Sequence, residues 1–129
     1  MQFNLPTKGN LKLQQVLENV KGNRKLETYW KCSNINAIDR LHMNDHGPTH
    51  IKIISNIALK ILRVLVKNGH IPGIVKDHKM SNEDAEVVVF LACCLHDIGH
   101  IVHRQNHPNY GIPIALTLLD GLLAGSYDE

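Results

Sequence analysis

Long apolar runs are missing from this 129-residue chain: no stretch approaches the roughly 18 residues that a spanning helix needs, so no membrane segment is expected. The first residues, MQFNLPTKGN, lack a charged region followed by an apolar core, so a cytoplasmic location is expected. Charge of one sign is equally scarce. The 14 Lys and Arg are set against 12 Asp and Glu without a long basic run, and the net charge of +2 gives no signal for nucleic acid or for a polybasic membrane patch. Cysteine is sparse and odd in number, at three, which does not suit a disulfide framework. Cys93 and Cys94 are neighbours in a helical pattern, where a bridge between them would strain the backbone, so reduced, buried thiols are expected. No segment alternates apolar and polar residues for long enough to demand a sheet, although EVVVFLACCL is β-branched enough to resemble a buried strand. Internal repeats and low-complexity tracts are absent too.

What is present is a series of helical patterns with clear ends. The 43% apolar content is enough for one core, and a single all-α domain is expected. In NLKLQQVLENV, Leu11, Leu13, Val16, Leu17 and Val20 recur at mostly three- and four-residue steps until Lys21-Gly22-Asn23 supplies a stop. RKLETYWKCSNINAIDRLH carries a weaker stripe, interrupted by the polar SNIN, and reads as one helix or two short ones. PTHIKIISNIALKILRVLVKNG is the longest pattern, with Ile51, Ile54, Ile57, Ala58, Ile61, Leu62 and Leu65 on one broad face, Pro48 at its start and Gly69 past its end. HIPGIVKDHKM reads as a loop around Pro72-Gly73. Ser81 caps the next helix, with Asp84 reaching back as a weaker form of the capping box, and that helix runs until Gly99. A last helix starts at Pro108 and tolerates Pro113 in its first turns.

Histidines gather where these helices begin and end. LHMNDHGPTH places His42, His46 and His50 around Gly47-Pro48, and CCLHDIGH places His96, Asp97 and His100 at the end of an apolar helix. His50 is followed at four-residue steps by Ile54 and Ala58, so it projects from the start of a buried face, where an unpartnered imidazole is costly. Imidazole combined with carboxylate suits Mn, Fe, Co, Ni and Zn, whereas carboxylate alone favours Mg or Ca. Taken alone, His96-Asp97 reads as a helix end with a local ion pair. Asp45 has two readings as well, a backbone acceptor at the start of the helix or, with His46, a group over the site that orients ligands or touches substrate. His42, His70 and His78 fall in polar loops and read as solvated surface residues.

The run HIKIISNIALKIL, followed by LACCLHDIGH, resembles the HD superfamily of metal-dependent phosphohydrolases over roughly residues 45–120. The resemblance implies a compact multi-helix HD-domain-like bundle, spanning 1–129 as one domain or forming the N-terminal part of a longer protein. It implies His50, His96 and Asp97 as metal ligands. His107-Pro108 with Gly111 resembles the His-Pro-x-x-Gly helix start of the branches that bind two metals, which implies His107 on a second ion with Asp97 bridging. His100 and His103 are then open to completing that shell or to protonating the leaving group. Many members carry a lysine at the position of His100, and the Gly-Tyr-Pro tripeptide of one branch is absent. The family's last aspartate has only Asp120 and Asp128 to match it here.

The reaction implied is hydrolysis of a phosphoester of a nucleotide or another small molecule, assisted by one or two divalent ions (Mn, Fe, Co, Ni, Zn or Mg). Lys52 and Arg104 flank the ligand segments as candidate phosphate contacts, although both also read as plain surface charges. Two other classes stay open: a catalytically degenerate HD-like module for ligand sensing or assembly, and a histidine-rich metal carrier.

Overall fold

The computed structural model describes residues 1–127, and among these the architecture is all-α. The first helix, α1 (Leu11–Gly22), starts where the Asn10 side chain accepts from Leu13 N–H at 2.9 Å, and it buries Leu13, Val16, Leu17 and Val20, whereas Leu11, expected on the same stripe, is exposed in the first turn. Asn23 ends α1 and caps α2 (Arg24–Asn34), accepting from Leu26 N–H at 2.9 Å. One residue therefore closes α1 with its backbone N–H, donated to Val20 O at 3.2 Å, and opens α2 with its side chain. The chain then continues as a wider π-helical segment, Ile35–Arg40, so the region around SNIN is a continuous helical path with a change of pitch.

Pro48 opens α3 (Pro48–Lys67). Its broad apolar face is only partly covered: Ile51, Ser55 and Leu59 are buried, whereas Ile57, Ile61 and Leu65, expected on the inner face, are exposed. The reason is direction: Ile53, Ile57, Ile61 and Val64 follow one another at three- and four-residue steps on a face of α3 turned away from the one that buries Ile51, Ser55 and Leu59. The segment read as a loop contains a one-and-a-half-turn helix, α4 (Gly73–His78), ended by Lys79 in the left-handed region. Six residues are too few to establish a helical period in sequence.

The central element is α5 (Asn82–Leu95), against which α1, α3 and α4 pack. Its nearly all-round apolar character belongs to a helix with neighbours on several sides rather than to a strand. Both arms of its capping box are made: Asp84 N–H donates to Ser81 Oγ at 3.2 Å, and Ser81 N–H donates to Asp84 Oδ2 at 2.8 Å. Asp84 also receives Lys12 Nζ at 2.8 Å and the Tyr127 hydroxyl at 2.6 Å, joining both ends of the described chain to the start of α5. The helix ends at Leu95, earlier than Gly99, and the chain passes through His96-Asp97 into a 3₁₀ turn, Ile98–Ile101. The last helix is α6 (His107–Leu123). Phe3, Trp30, Phe90, Cys94, Ile98 and Leu122 are among the largest fully buried side chains at the junction of these elements. The cysteines are free thiols, but only Cys94 is buried; Cys32 is exposed on α2, against the expectation for all three. No helix among the described residues is long and apolar enough to cross a membrane.

Candidate metal centre

Three chain segments converge at one end of α5. The first is the loop before α3. Asn34 accepts from His46 N–H at 2.9 Å, and Asp45 Oδ1 accepts from Gly47 N–H at 2.8 Å. A Cβ on Gly47 would come within 2.9 Å of Asn34 Cγ, so the absence of a side chain lets this loop lie against α2. The loop thus sets His46, and the first turn of α3 sets His50.

The second segment is the α5 end. It is held from α2 by side chains that run in step with the carbonyls they meet. Trp30 Nε1–H donates to Cys94 O at 2.7 Å, Ser33 Oγ–H to Asp97 O at 3.4 Å, and Asn36 Nδ2–H to His100 O at 2.8 Å. Each donor lies three residues after the last, and so does each acceptor. Carbonyls at and just after the end of α5 thereby find donors inside the protein, and that of Asp97 also accepts from His100 N–H at 3.0 Å.

The third segment is the start of α6, which the 3₁₀ turn touches backbone to backbone. A Cβ on Gly99 would fall 1.8 Å from His107 O and 2.8 Å from Gly111 N, so no other residue fits at 99 without displacing α6. Gly111 is the partner of Gly99 in this close approach: a Cβ on it would lie 3.5 Å from Gly99 N. Asn106, with φ 62°, turns the chain into α6 and leaves His107 over Asp97.

Asp97 is the hub, and its two oxygens face different histidines. Oδ2 lies 2.7 Å from His46 Nδ1, 3.0 Å from His96 Nε2 and 3.7 Å from His50 Nε2. Oδ1 lies 3.5 Å from His107 Nε2 and 3.8 Å from His100 Nε2. The His100 and His107 rings stack with centroids 4.0 Å apart, and His46 stands 5.2 Å from His100 and 5.3 Å from His50. The site is closed on one side and open on the other: the His100 side chain is 2% exposed and that of Asp97 7%, against 40% for His96.

Burial would raise the Asp97 carboxyl, but hydrogen bonds from His96 and His46 outweigh it and hold the group well below the usual carboxylate range. The hydrogen bond to Asp97 raises His96, against the opposing effect of burial. Burial lowers His50 and His100 toward the neutral imidazole, the form that binds metals.

This donor set fits a divalent ion. His46, His50 and Asp97 offer ligand atoms within 4.8 Å of one another, as do Asp97, His100 and His107. Two atoms each about 2.1 Å from an ion can lie up to about 4.2 Å apart, so only a small contraction is required. His96 Nδ1–H donates to Cys93 O at 2.9 Å and His107 Nδ1–H donates to Arg104 O at 3.0 Å. These bonds fix the rings and direct each Nε2 toward Asp97, as outer hydrogen bonds do for metal-binding histidines. His100 Nδ1 is buried without a hydrogen-bond partner among the described residues.

The structure therefore brings together His50, His96, Asp97 and His107, adds His100, and places His46 in direct contact with the carboxylate. It does not bring in His103, which is exposed and accepts from Gln105 N–H at 3.0 Å. Arg104 is exposed and Lys52 half-buried, each outside the cluster, and Asp45 is engaged with its own loop. Asp120 is exposed on α6 and does not face inward; Asp128 lies outside the described residues. His42, His70 and His78 are exposed, as expected. Sequence reasoning did not find Ser33, Asn34 and Asn36 as supports. The signal was available in SNIN, a polar break in an otherwise apolar stripe whose Ser33 is buried.

An uncharacterized protein of Methanocaldococcus jannaschii is 46% identical to this chain over 107 residues, which cover 83% of the chain and 41% of the relative. The chain thus spans about two fifths of the length of the curated relative it matches. No family model matches the chain. No solved structure matches it either.

Proposed function

We propose that the cluster is the divalent-metal centre of a phosphohydrolase that acts on a small phosphoester in the cytoplasm, carried on an HD-like bundle. The observation that supports this most is the division of one buried carboxylate between His46, His50 and His96 on Oδ2 and His100 and His107 on Oδ1. One aspartate is so placed that it can serve two ions at once. In this reading His50, His96, Asp97 and His107 are ligands, as the HD resemblance implies, and His46 and His100 extend the two halves. A bound ion of the Mn, Fe, Co, Ni or Zn type, or Mg, supplies Lewis acidity toward a phosphoryl oxygen and brings the pKa of a bound water near neutrality.

The chain's own residues do the rest. The carbonyls of Cys93 and Arg104 engage Nδ1 of His96 and His107 and so leave Nε2 of each ring as the nitrogen that would meet an ion. Burial of His100 keeps water from one side of the carboxylate. Lys52 and Arg104 attract the substrate's phosphate, Asp45 and His46 shape the loop over it, and His103 beside Arg104 is the group proposed to return a proton to the leaving oxygen. Among the described residues Asp97 is the only carboxylate in the cluster, which favours a second reading, a degenerate HD-like module that binds a ligand without turnover.

Elemental analysis of protein purified without chelator, with titration by Mn, Co, Ni, Zn and Mg and a phosphatase screen, tests both readings. Metal-dependent phosphate release is the expected result. Metal binding without turnover favours the sensing module, and failure to bind any of these ions defeats the metal centre itself.

A further inference from the structure

The outward face of α3 carries a second apolar stripe, separate from the one that enters the core. Ile53, Ile57, Ile61 and Val64 succeed one another at steps of four, four and three residues, and each is between 52% and 55% exposed. They run along about 17 Å of helix. Single exposed apolar residues need no explanation, but a continuous stripe of them marks a surface that another molecule covers. Beside the stripe lies a groove of about 460 Å³ between α3 and the N-terminal segment at Pro6. That segment is held against α3 by Asn56 Nδ2–H, which donates to Asn4 O at 3.0 Å. Ile57 and Val64 line the groove together with Lys60 and Lys67, which are two turns apart, and its lining contains no Asp or Glu. Neither lysine is in an ion pair among the described residues, whereas Arg63, between them, is held by both carboxylate oxygens of Glu86.

We propose that this face docks an amphipathic helix of a partner protein, one whose apolar stripe packs on Ile53, Ile57, Ile61 and Val64 and whose acidic edge pairs with Lys60 and Lys67. Steps of three and four residues are the spacing at which one helix presents anchors to another, and the groove gives the incoming side chains a place to lie. The acidic edge follows from charge. All of α3 is without Asp or Glu, so a second copy docked by the same face would set α3 against α3 and bring no carboxylate from that helix to the lysines. A flat lipid surface has no side chain to place in the groove. None of these residues belongs to the Asp97 cluster, so the surface stands whether or not the phosphohydrolase reading does.

The test uses two fluorescein-labelled synthetic helices of about 20 residues, long enough to hold helical structure. Both carry leucine at steps of three and four; one bears glutamate along the edge of that stripe and the other lysine. Fluorescence anisotropy with the full chain is expected to give a Kd of about 10–100 μM for the glutamate helix and binding at least about tenfold weaker for the lysine helix. Added salt should narrow that difference. Ile57→Ser should weaken binding of the glutamate helix by about tenfold, the scale of one lost apolar anchor. Lys60→Glu combined with Lys67→Glu should reverse the preference, which a merely structural role for these lysines would not do. All three positions are exposed, and circular dichroism checks that each variant keeps the parent's helix content. Binding of neither helix, or of both equally, overturns the proposal. So does a dimer of the parent, seen by light scattering, that Ile57→Ser dissolves, since the occupant is then a second copy. Co-sedimentation with phosphatidylglycerol vesicles that Ile57→Ser abolishes, in place of peptide binding, overturns it in favour of a lipid surface.

Discussion

Replacing Asp97 by Asn removes the one negative charge in the cluster while keeping nearly the same shape. In the metal-free protein the carboxylate accepts from His46 at 2.7 Å and from His96 at 3.0 Å. Charge-assisted bonds contribute about 1.5–3 kcal/mol each, but an Asn oxygen still accepts one of them, so a net loss of about 1–3 kcal/mol is expected. The larger effect is on metal-linked stability. At a free ion concentration 100 times Kd, binding stabilises the folded chain by about 2.7 kcal/mol. For a domain of this size each kcal/mol moves Tm by about 3–5 °C, so Mn or Zn should raise the parent's Tm by about 10 °C. Asp97→Asn should reduce that rise to less than about 2 °C, because the remaining ligands are imidazoles divided between two half-sites with no anion between them. Differential scanning fluorimetry with and without metal measures both values, and urea unfolding confirms that the variant is folded. His78→Ala, at an exposed position on α4, serves as the control and should respond like the parent. An equal metal-induced rise in Asp97→Asn and parent would refute the assignment of this carboxylate as the hub.

Other perturbations address the scaffold around that hub. Gly99→Ala sets a Cβ 1.8 Å from His107 O, so it should cost about 3 kcal/mol or more and displace His107; parent-like stability by urea titration would contradict the contact of the 3₁₀ turn with α6. His107→Ala should lower metal stoichiometry from two toward one, with residual binding at His46, His50 and Asp97, and a parent saturating at one ion would remove the second half-site. Asn36→Ala should cost about 1 kcal/mol and weaken metal binding through His100, whose carbonyl it holds at 2.8 Å; unchanged affinity would mean that this support does not position the ring. Asp84 sits in a buried network in which hydrogen bonds from Lys12, Tyr127 and Ser81 overcome the effect of burial and depress its pKa below the usual carboxylate value of about 3.9. A group depressed in the folded state stabilises above its unfolded pKa and loses that contribution as pH falls, so stability should decline below about pH 4, and Asp84→Asn should flatten that decline.

Local rules along the chain were enough to place most helix ends. Ser81 with Asp84, and Pro48, act within one turn of themselves, so their effect is visible wherever they occur in sequence. The same locality carried His50, which begins the buried stripe of α3, and His96-Asp97, which ends the apolar run of α5. It failed for α4, whose six residues complete too few turns to show a period, and for the outer face of α3, because a broad stripe records apolarity and not which part of it a neighbour covers.

Tertiary structure decided which of the histidines meet. His46 is cut off from the helical period of His50 by Gly47-Pro48, and only the docking of its loop on Asn34 brings its ring to Asp97. His103 shares the chain segment of His100 and His107 yet faces outward, because the chain leaves the 3₁₀ turn before α6 begins. The Trp30, Ser33 and Asn36 bonds are invisible along the sequence for the same reason: each joins residues 64 apart, and the match between their spacing and that of the carbonyls they meet exists only once α2 lies beside the end of α5. Capping and periodicity depend on neighbours in the chain, whereas a cluster built on one carboxylate depends on neighbours in space.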